Sequence, residues 1–421
     1  MSTPRETAVY ALHQIFHPEQ KASAIADSAE GMAFVKMLTQ SALRHGVWLE
    51  QLLSRFVTRK IPQKQALLHT ILLTAATELV FMNTPDYAVI NSYVDIAKQR
   101  CGKSESGFIN AVLRNIIRAQ ITPPTTTESA LLPDSFLKIL RQDYSPEVIK
   151  QIAQATTNEP PLNLSVKDNP AKWAEKLGGS VVINNTIAVS EAGKIADLDG
   201  YTEGEWWVQD TAAALAAACF SDLKGKRVLD LCAAPGGKTA QLLNAGAIVT
   251  SLDCDADRLK TLEQNLQRLY LQPQQIICAD VIEFLRDFNG EPFDAVLLDA
   301  PCSATGIFRR HPEVLWQKKM QDVSRQSALQ QQILELISPV LKTGGELVYC
   351  TCSIAKAEGE RQIRQMLKQQ PDFQIARLSC PEQPQIITAE GFIRTLPFHF
   401  AAQGGCDAFF IAKLIKKAKS Q

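Results

Sequence analysis

The sequence predicts three regions of different fold class. Residues 1–125 read as an all-α bundle, 130–205 as a small α+β domain, and 206–421 as an α/β domain on a parallel sheet with helices on both faces. Three observations carry this. Apolar residues recur at helical spacing through the first 120 positions, without convincing strand alternation. Ile121 to Glu128, rich in proline and threonine, breaks the pattern and reads as a linker. From Gln209 onward, short apolar strands alternate with helical stretches, the pattern of a parallel sheet.

Within the first region, Thr3-Pro4-Arg5-Glu6 is a capping-box start with proline in the first turn, followed by apolar positions from Val9 to Phe16. Ala66 to Phe81 and Ile90 to Ile96 continue the helical spacing. Phe108 to Arg118 is apolar on one side and basic on the other. In the middle region Ser145-Pro146-Glu147 starts a helix. A strand is expected over Leu162–Val166, a helix from Pro170 to Leu177 and a strand near Val181 to Ile183. The third region offers strands at Arg227–Leu231, Ile248–Leu252, Gln275–Cys278, Ala295–Leu298 and Glu346–Cys350. Phe373–Leu378 and Ala408–Leu414 have no comparable helix between them, so they are expected to close the sheet as an antiparallel hairpin.

The chain has 421 residues, with 44 basic and 44 acidic side chains, so no global field draws it to nucleic acid. The charge is uneven, however. Residues 1–120 carry a basic excess, with Arg55, Arg59, Lys60 and Lys64 clustered, and Arg309-Arg310 stand together further on. Solvated surface is the ordinary fate of such runs; contact with an RNA backbone is the functional alternative. Ten cysteines form no even framework and most lie in apolar runs, so a reducing cytoplasm is expected. No leader or bilayer-spanning stretch is evident, which argues against a membrane protein. Cys350 and Cys352, the one close pair, have no partner pair, so no metal is expected.

The turn after the first strand of the α/β domain reads Cys232-Ala233-Ala234-Pro235-Gly236-Gly237-Lys238. Small residues let the backbone approach a ligand closely, and the following helix offers its amides. The turn lacks the glycine a P-loop needs, Cys232 standing there, and lacks the three spaced glycines of a dinucleotide fingerprint. A nucleoside-sized cofactor without pyrophosphate is therefore preferred, and S-adenosylmethionine is the obvious one. Asp253 ends the second strand, where an acid accepts ribose hydroxyls; Asp280 ends the third, near an adenine edge. Each acid alone is more often surface or a helix cap.

Asp299-Ala300-Pro301-Cys302 and Thr351-Cys352-Ser353 each follow an apolar strand beside that cleft. Most cysteines are small buried hydrophobes, and Cys350 reads as one of these. Two thiols at adjacent strand ends point instead to covalent catalysis. Carbon 5 of cytosine is a poor nucleophile until a thiolate adds at carbon 6 and turns the ring into an enamine. Asp299 is placed to assist at ring nitrogen 3, and a base must later remove the carbon-5 proton. Chemistry alone does not say which thiol attacks.

Leu229–Thr239, Asp299-Ala300-Pro301-Cys302-Ser303-Ala304-Thr305-Gly306, Arg310-His311-Pro312, Lys342-Thr343-Gly344-Gly345 and Tyr349–Ser353 together closely resemble the bacterial RNA (cytosine-C5) methyltransferases. Gly107-Phe108-Ile109-Asn110-Ala111-Val112-Leu113-Arg114 resembles the signature of the NusB fold, an RNA-binding helical bundle. The combination resembles the RsmB (Sun/Fmu) family, which implies a NusB-like bundle, a small linking domain and a Rossmann-like methyltransferase acting on 16S rRNA. The resemblance makes Cys352 the nucleophile, Cys302 the thiol that assists product release and Asp299 the ring-activating acid. It assigns the S-adenosylmethionine contacts to Cys232, Ala233, Ala234, Pro235, Gly236, Gly237, Lys238, Asp253, Asp280 and Asp299. Arg309, Arg310, Arg55, Arg59 and Lys60 are the candidate RNA contacts, and a monomer is expected. A tRNA substrate, or an RNA-binding assembly factor without activity, are the competing readings. Two positions depart from the family pattern: Glu358-Gly359-Glu360 replaces a glutamate-asparagine pair, and Ala408 replaces a glycine.

Overall fold

The computed structural model describes residues 3–19, 31–126, 131–190 and 193–418. They form two compact units, one of residues 1–158 with 311–318 and the other of 159–310 with 319–421.

The first unit is helical. Helix α1 spans Pro4–Phe16, and Thr3 caps it by accepting from the Glu6 amide at 3.3 Å. Helices α2 (Met32–Ser54), α3 (Ala66–Phe81), α4 (Asp86–Arg100) and α5 (Lys103–Arg118) complete the bundle expected from the apolar spacing. Helix α3 is buried around most of its circumference, which its composition requires. Its Thr70, Thr74 and Thr77 hydroxyls satisfy themselves on carbonyls four residues back. Glu78, fully buried, takes a two-pronged bond from Arg5 and accepts from the Tyr93 hydroxyl at 2.9 Å.

The division of the chain differs from the expected one. Helices α6 (Asp134–Leu140) and α7 (Pro146–Thr156), the latter capped by Ser145 as expected, belong to the helical unit. Arg44 of α2 donates to the Thr156 carbonyl at 3.2 Å, a link over 112 positions that local pattern does not announce. Residues 311–318 join the same unit through Trp316, whose indole donates to the Leu43 carbonyl at 2.9 Å and stands edge-on to Phe16. The last residues of the expected linker, 127 and 128, lie outside the described residues.

The second unit contains two sheets. Strands β1 (Leu162–Val166), β2 (Gly179–Ile183), β3 (Thr186–Val189) and β4 (Trp206–Val208) form an antiparallel sheet in the order β2-β3-β1-β4. Strand β3 has no alternating pattern because all four of its residues are buried. The expected boundary at 205/206 severs β4 from its partner β1, so it is not a domain limit.

The large sheet uses β5 (Arg227–Leu231), β6 (Ile248–Asp253), β7 (Gln275–Cys278), β8 (Phe293–Asp299) and β9 (Leu341–Thr351), all paired in parallel. Strands β10 (Phe373–Ile375), β11 (Ile393–Thr395) and β12 (Phe409–Lys416) close it. The order is β10-β12-β9-β8-β5-β6-β7, with β11 beside β12. Strand β12 is antiparallel to β10, as expected, and also to β9, but no hairpin joins β10 to β12, because the intervening chain supplies β11. Among the described residues no helix is long and apolar enough to cross a membrane.

Trp316→Ala should destabilise the helical unit by about 3 kcal/mol, the cost of removing a packed aromatic and its hydrogen bond. Urea unfolding followed by circular dichroism checks this; a change below about 0.5 kcal/mol would mean that 311–318 merely rests on the bundle.

Candidate active site

Strand β5 lies between β6 and β8, so chain order runs outward from it both ways, and the crevice at the carboxyl ends of these strands is where such sheets bind ligands. The turn leaving β5 lies at that crevice. Cys232 has φ 61° and Gly236 has φ 100°, both in the left-handed region. A side chain on Gly236 would also begin 3.0 Å from Leu262, so it would be both strained and crowded there. Helix Gly237–Asn244 follows directly. Asp253 braces the turn from the end of β6, accepting from the Ala234 amide at 3.0 Å and the Asp255 amide at 3.1 Å. It is 2% exposed. Asp280 is exposed and caps helix Val281–Arg286, accepting from the Ile282 and Glu283 amides.

The two thiols meet. Cys302 Sγ lies 3.4 Å from Cys352 Sγ. The pairing of β8 with β9 sets this, because Asp299 stands opposite Cys350 and both loops leave the sheet at the same end. The Gly306 amide then donates to the Cys352 carbonyl at 2.9 Å. Asp299 Oδ2 is 2.7 Å from Lys238 Nζ, and Oδ1 accepts from the Cys350 thiol at 3.5 Å. Lys238 is thus turned inward, over the ring of Phe409. Burial works against its charge, but Asp299, with Cys350 and Cys352, outweighs burial and holds the ammonium above its ordinary range. The hydrogen bond to Cys352, together with burial and the nearby Glu358 charge, pushes the Cys302 thiol well up. Cys350 is fully buried, the core position expected of it.

The basic residues divide. Arg55, Arg59 and Lys60 are exposed on the segment leaving α2. Arg309 is only 3% exposed and donates to the Gly404 carbonyl. That burial removes it from the expected RNA-facing set. Arg310 is paired with Asp407 and lies 3.7 Å from Asp210. Burial opposes its charge, while Asp210, Asp407 and more weakly Cys352 reinforce it. An arginine so engaged serves first as an internal counter-ion. Among the described residues no cluster of histidine, cysteine and acidic side chains is arranged to hold a metal.

Residues 218–415 match the 16S rRNA methyltransferase RsmB/F family, and residues 2–118 match the NusB family. Ribosomal RNA small subunit methyltransferase B of Vibrio cholerae is 36% identical, covering 85% of this chain and 86% of its own. That of Serratia proteamaculans is 32% identical over 98% of each chain. The crystal structure of PH0851 has the same fold, with a TM-score of 0.76 at 21% identity over 99% of both chains. The chain belongs to the RsmB/F family of rRNA methyltransferases. Its architecture is accordingly a NusB domain followed by a methyltransferase domain.

Some groups at this RsmB/F-type site gave little sequence signal. Asp230, inside β5, is fully buried; Thr239 donates to its Oδ2 at 2.6 Å, while Oδ1 has no partner. Only its place in an apolar strand hinted at this. Asp210 and Asp407, from the two ends of the domain sequence, have both become partners of Arg310. Burial pushes Asp407 up to about 6.

Burial likewise pushes Asp230 up to about 7, against an ordinary value near 3.9 in the unfolded chain. The fold therefore favours the neutral acid. Its stabilising contribution is complete below about pH 4 and is lost as pH rises towards 7. Asp230→Asn keeps an acceptor for Thr239 and cannot ionise. Its melting temperature should exceed that of the wild type at pH 8, with the gap shrinking towards pH 4. Calorimetry at both pH values tests this, and a pH-independent gap would mean that Asp230 is ionised in the fold.

Proposed function

We propose that this protein transfers a methyl group from S-adenosylmethionine to carbon 5 of a cytosine in 16S rRNA, through a transient bond between Cys352 and carbon 6. The observation that carries the reading is the thiol pair, 3.4 Å apart, with Asp299 fixed beside it by Lys238. The relatives named ribosomal RNA small subunit methyltransferase B support the substrate class.

The residues around the β5 turn fit the donor. Neither Gly236 nor Gly237 carries a side chain to cover the turn's backbone. Cys232 to Lys238 would line the donor, with Asp253 and Asp280 at the neighbouring strand ends. S-adenosylmethionine supplies an electrophilic methyl on a sulfonium. The rest belongs to the chain. Lys238 and Arg310 are the buried cations whose charge interacts with Cys352, and a thiolate is the form in which a cysteine attacks. That thiolate forms the bond to carbon 6, and a proton is taken up at ring nitrogen 3, where Asp299 holds it. Carbon 5 then takes the methyl. Loss of the carbon-5 and nitrogen-3 protons restores the ring and expels the Cys352 thiolate, a step that Cys302 assists from the adjoining loop. The cytosine must leave any stacked helix to reach these sulfurs. Arg55, Arg59 and Lys60 supply backbone-binding charge on the NusB unit.

Cys352→Ala should abolish methyl transfer to 16S rRNA while leaving donor binding within about 2-fold in calorimetry. Full turnover by that variant would place the nucleophile elsewhere. Cys302→Ala should trap a protein–RNA adduct that survives denaturing electrophoresis; absence of any adduct would remove its role in release. Bisulfite sequencing of total RNA, with and without the gene, distinguishes 16S rRNA from tRNA as substrate.

A further inference from the structure

Glu358 belongs to none of the roles above, yet it is fully buried within the site. It ends a short turn, Lys356–Glu358, that follows the Cys352 loop. Its carboxylate takes four hydrogen bonds. Oε1 accepts from the Ser303 amide at 2.8 Å and from Gln330 Nε2 at 3.1 Å; Oε2 accepts from the Ser303 and Ser353 hydroxyls, both at 2.5 Å. Ser303 directly follows Cys302, and Ser353 directly follows Cys352. Thr305 closes the ring, 3.0 Å from both serine hydroxyls. Gln330 extends the tie, since the same Nε2 donates to the Pro301 carbonyl, one residue before Cys302. The Glu358 carbonyl in turn accepts from the Tyr349 and Thr351 hydroxyls of β9.

We propose that Glu358 is a positioning residue whose buried carboxylate ties the Cys302 loop to the Cys352 loop and so fixes the separation of the two sulfurs. A carboxylate with four donors inside a low-dielectric site is a rigid junction, and losing one member leaves the others unpaired. Each thiol is one residue from a hydroxyl that this junction holds, so slack in it transmits directly to the sulfur pair. The charge also acts unequally. Glu358 raises the Cys302 thiol, while the cations Lys238 and Arg310 act on Cys352. Two chemically identical side chains in contact thereby stand in different electrostatic surroundings, with the Glu358 charge raising the Cys302 thiol. The catalytic consequence rests on the methyl-transfer reading; the geometric one does not.

The test uses the full-length chain carrying Glu358→Gln, which keeps the shape but replaces one acceptor with a donor. In glutathione buffers the two thiols form a disulfide, with oxidised glutathione reduced to two equivalents of the thiol. Mass spectrometry of the Cys302–Cys352 peptide gives the equilibrium. The variant should lower the effective concentration of the pair at least about 10-fold. Methylation kcat should fall about 100-fold, with the KM for donor within about 2-fold. Ser353→Ala, a smaller lesion, should shift both in the same direction by a smaller factor, and it decides the matter if Glu358→Gln does not fold. A wild-type disulfide equilibrium in the folded variants overturns the proposal, whatever happens to activity. If the wild type methylates no RNA but the variants still loosen the pair, the positioning role stands and the methyl-transfer reading falls.

Discussion

The parallel pairing of β8 with β9 is the constraint on which the rest of the catalytic unit depends. Ala295 to Leu298 and Leu347 to Cys350 are buried almost completely, so both strands are apolar runs packed on both faces. Such burial specifies register strongly, because a slip of one residue turns every side chain to the opposite face. With Asp299 opposite Cys350, the acid, the lysine beneath it and both thiol loops all emerge at one edge of the sheet. The geometry of the site is a by-product of register.

Asp210, Asp230 and Asp407 are buried, so each charge there must be matched locally. Asp299 has Lys238, and Asp210 and Asp407 share Arg310. At Asp230 burial outweighs the Lys238 charge and favours the neutral acid instead: the group is pushed up to about 7, with the Thr239 hydroxyl on its Oδ2. A buried ion without a partner costs several kcal/mol, which is why the chain uses both solutions within one crevice. The zero formal charge of the whole chain conceals this. It also says nothing of where charge stays accessible: Arg55, Arg59 and Lys60 are exposed, whereas Arg309 is buried.

Much of the fold was legible because periodicity is a local property. The helix over Ala66–Phe81 and the strands over Arg227–Leu231 and Gln275–Cys278 fall where apolar spacing puts them. What escaped was set by distant contacts. The helices over 134–156 belong to the bundle through bonds such as Arg44 to Thr156, and 311–318 joins it through Trp316. Strand β3, buried throughout, gave no alternation to read. At the site, cysteines stood out because a thiol at a strand end is chemically unusual. Arg309 misled for the opposite reason. Adjacent arginines look like surface, and nothing local tells that Gly404, 95 positions away, receives one of them.

The departures from the family pattern are best understood as geometry kept by other means. Gly359 lies between Glu358 and Glu360, in the stretch that departs from the family's glutamate-asparagine pair. A side chain there would begin 2.4 Å from Arg394 Nη2 and 2.8 Å from the ring of Phe410, so Arg394 occupies the space that glycine leaves. The guanidinium is buried and pairs with Glu360 at 2.6 Å. Its third nitrogen donates to the Ser353 carbonyl at 2.7 Å, one residue beyond Cys352. A planar fork suits this task, satisfying a carboxylate and a carbonyl together with little loss of freedom. The loop carrying Cys352 is thus gripped from both sides of Ser353, by Glu358 at the hydroxyl and Arg394 at the carbonyl. The sequence beside the thiol departs from the family pattern, and the loop is nonetheless anchored at two points, because a buried carboxylate and a buried guanidinium hold one residue between them.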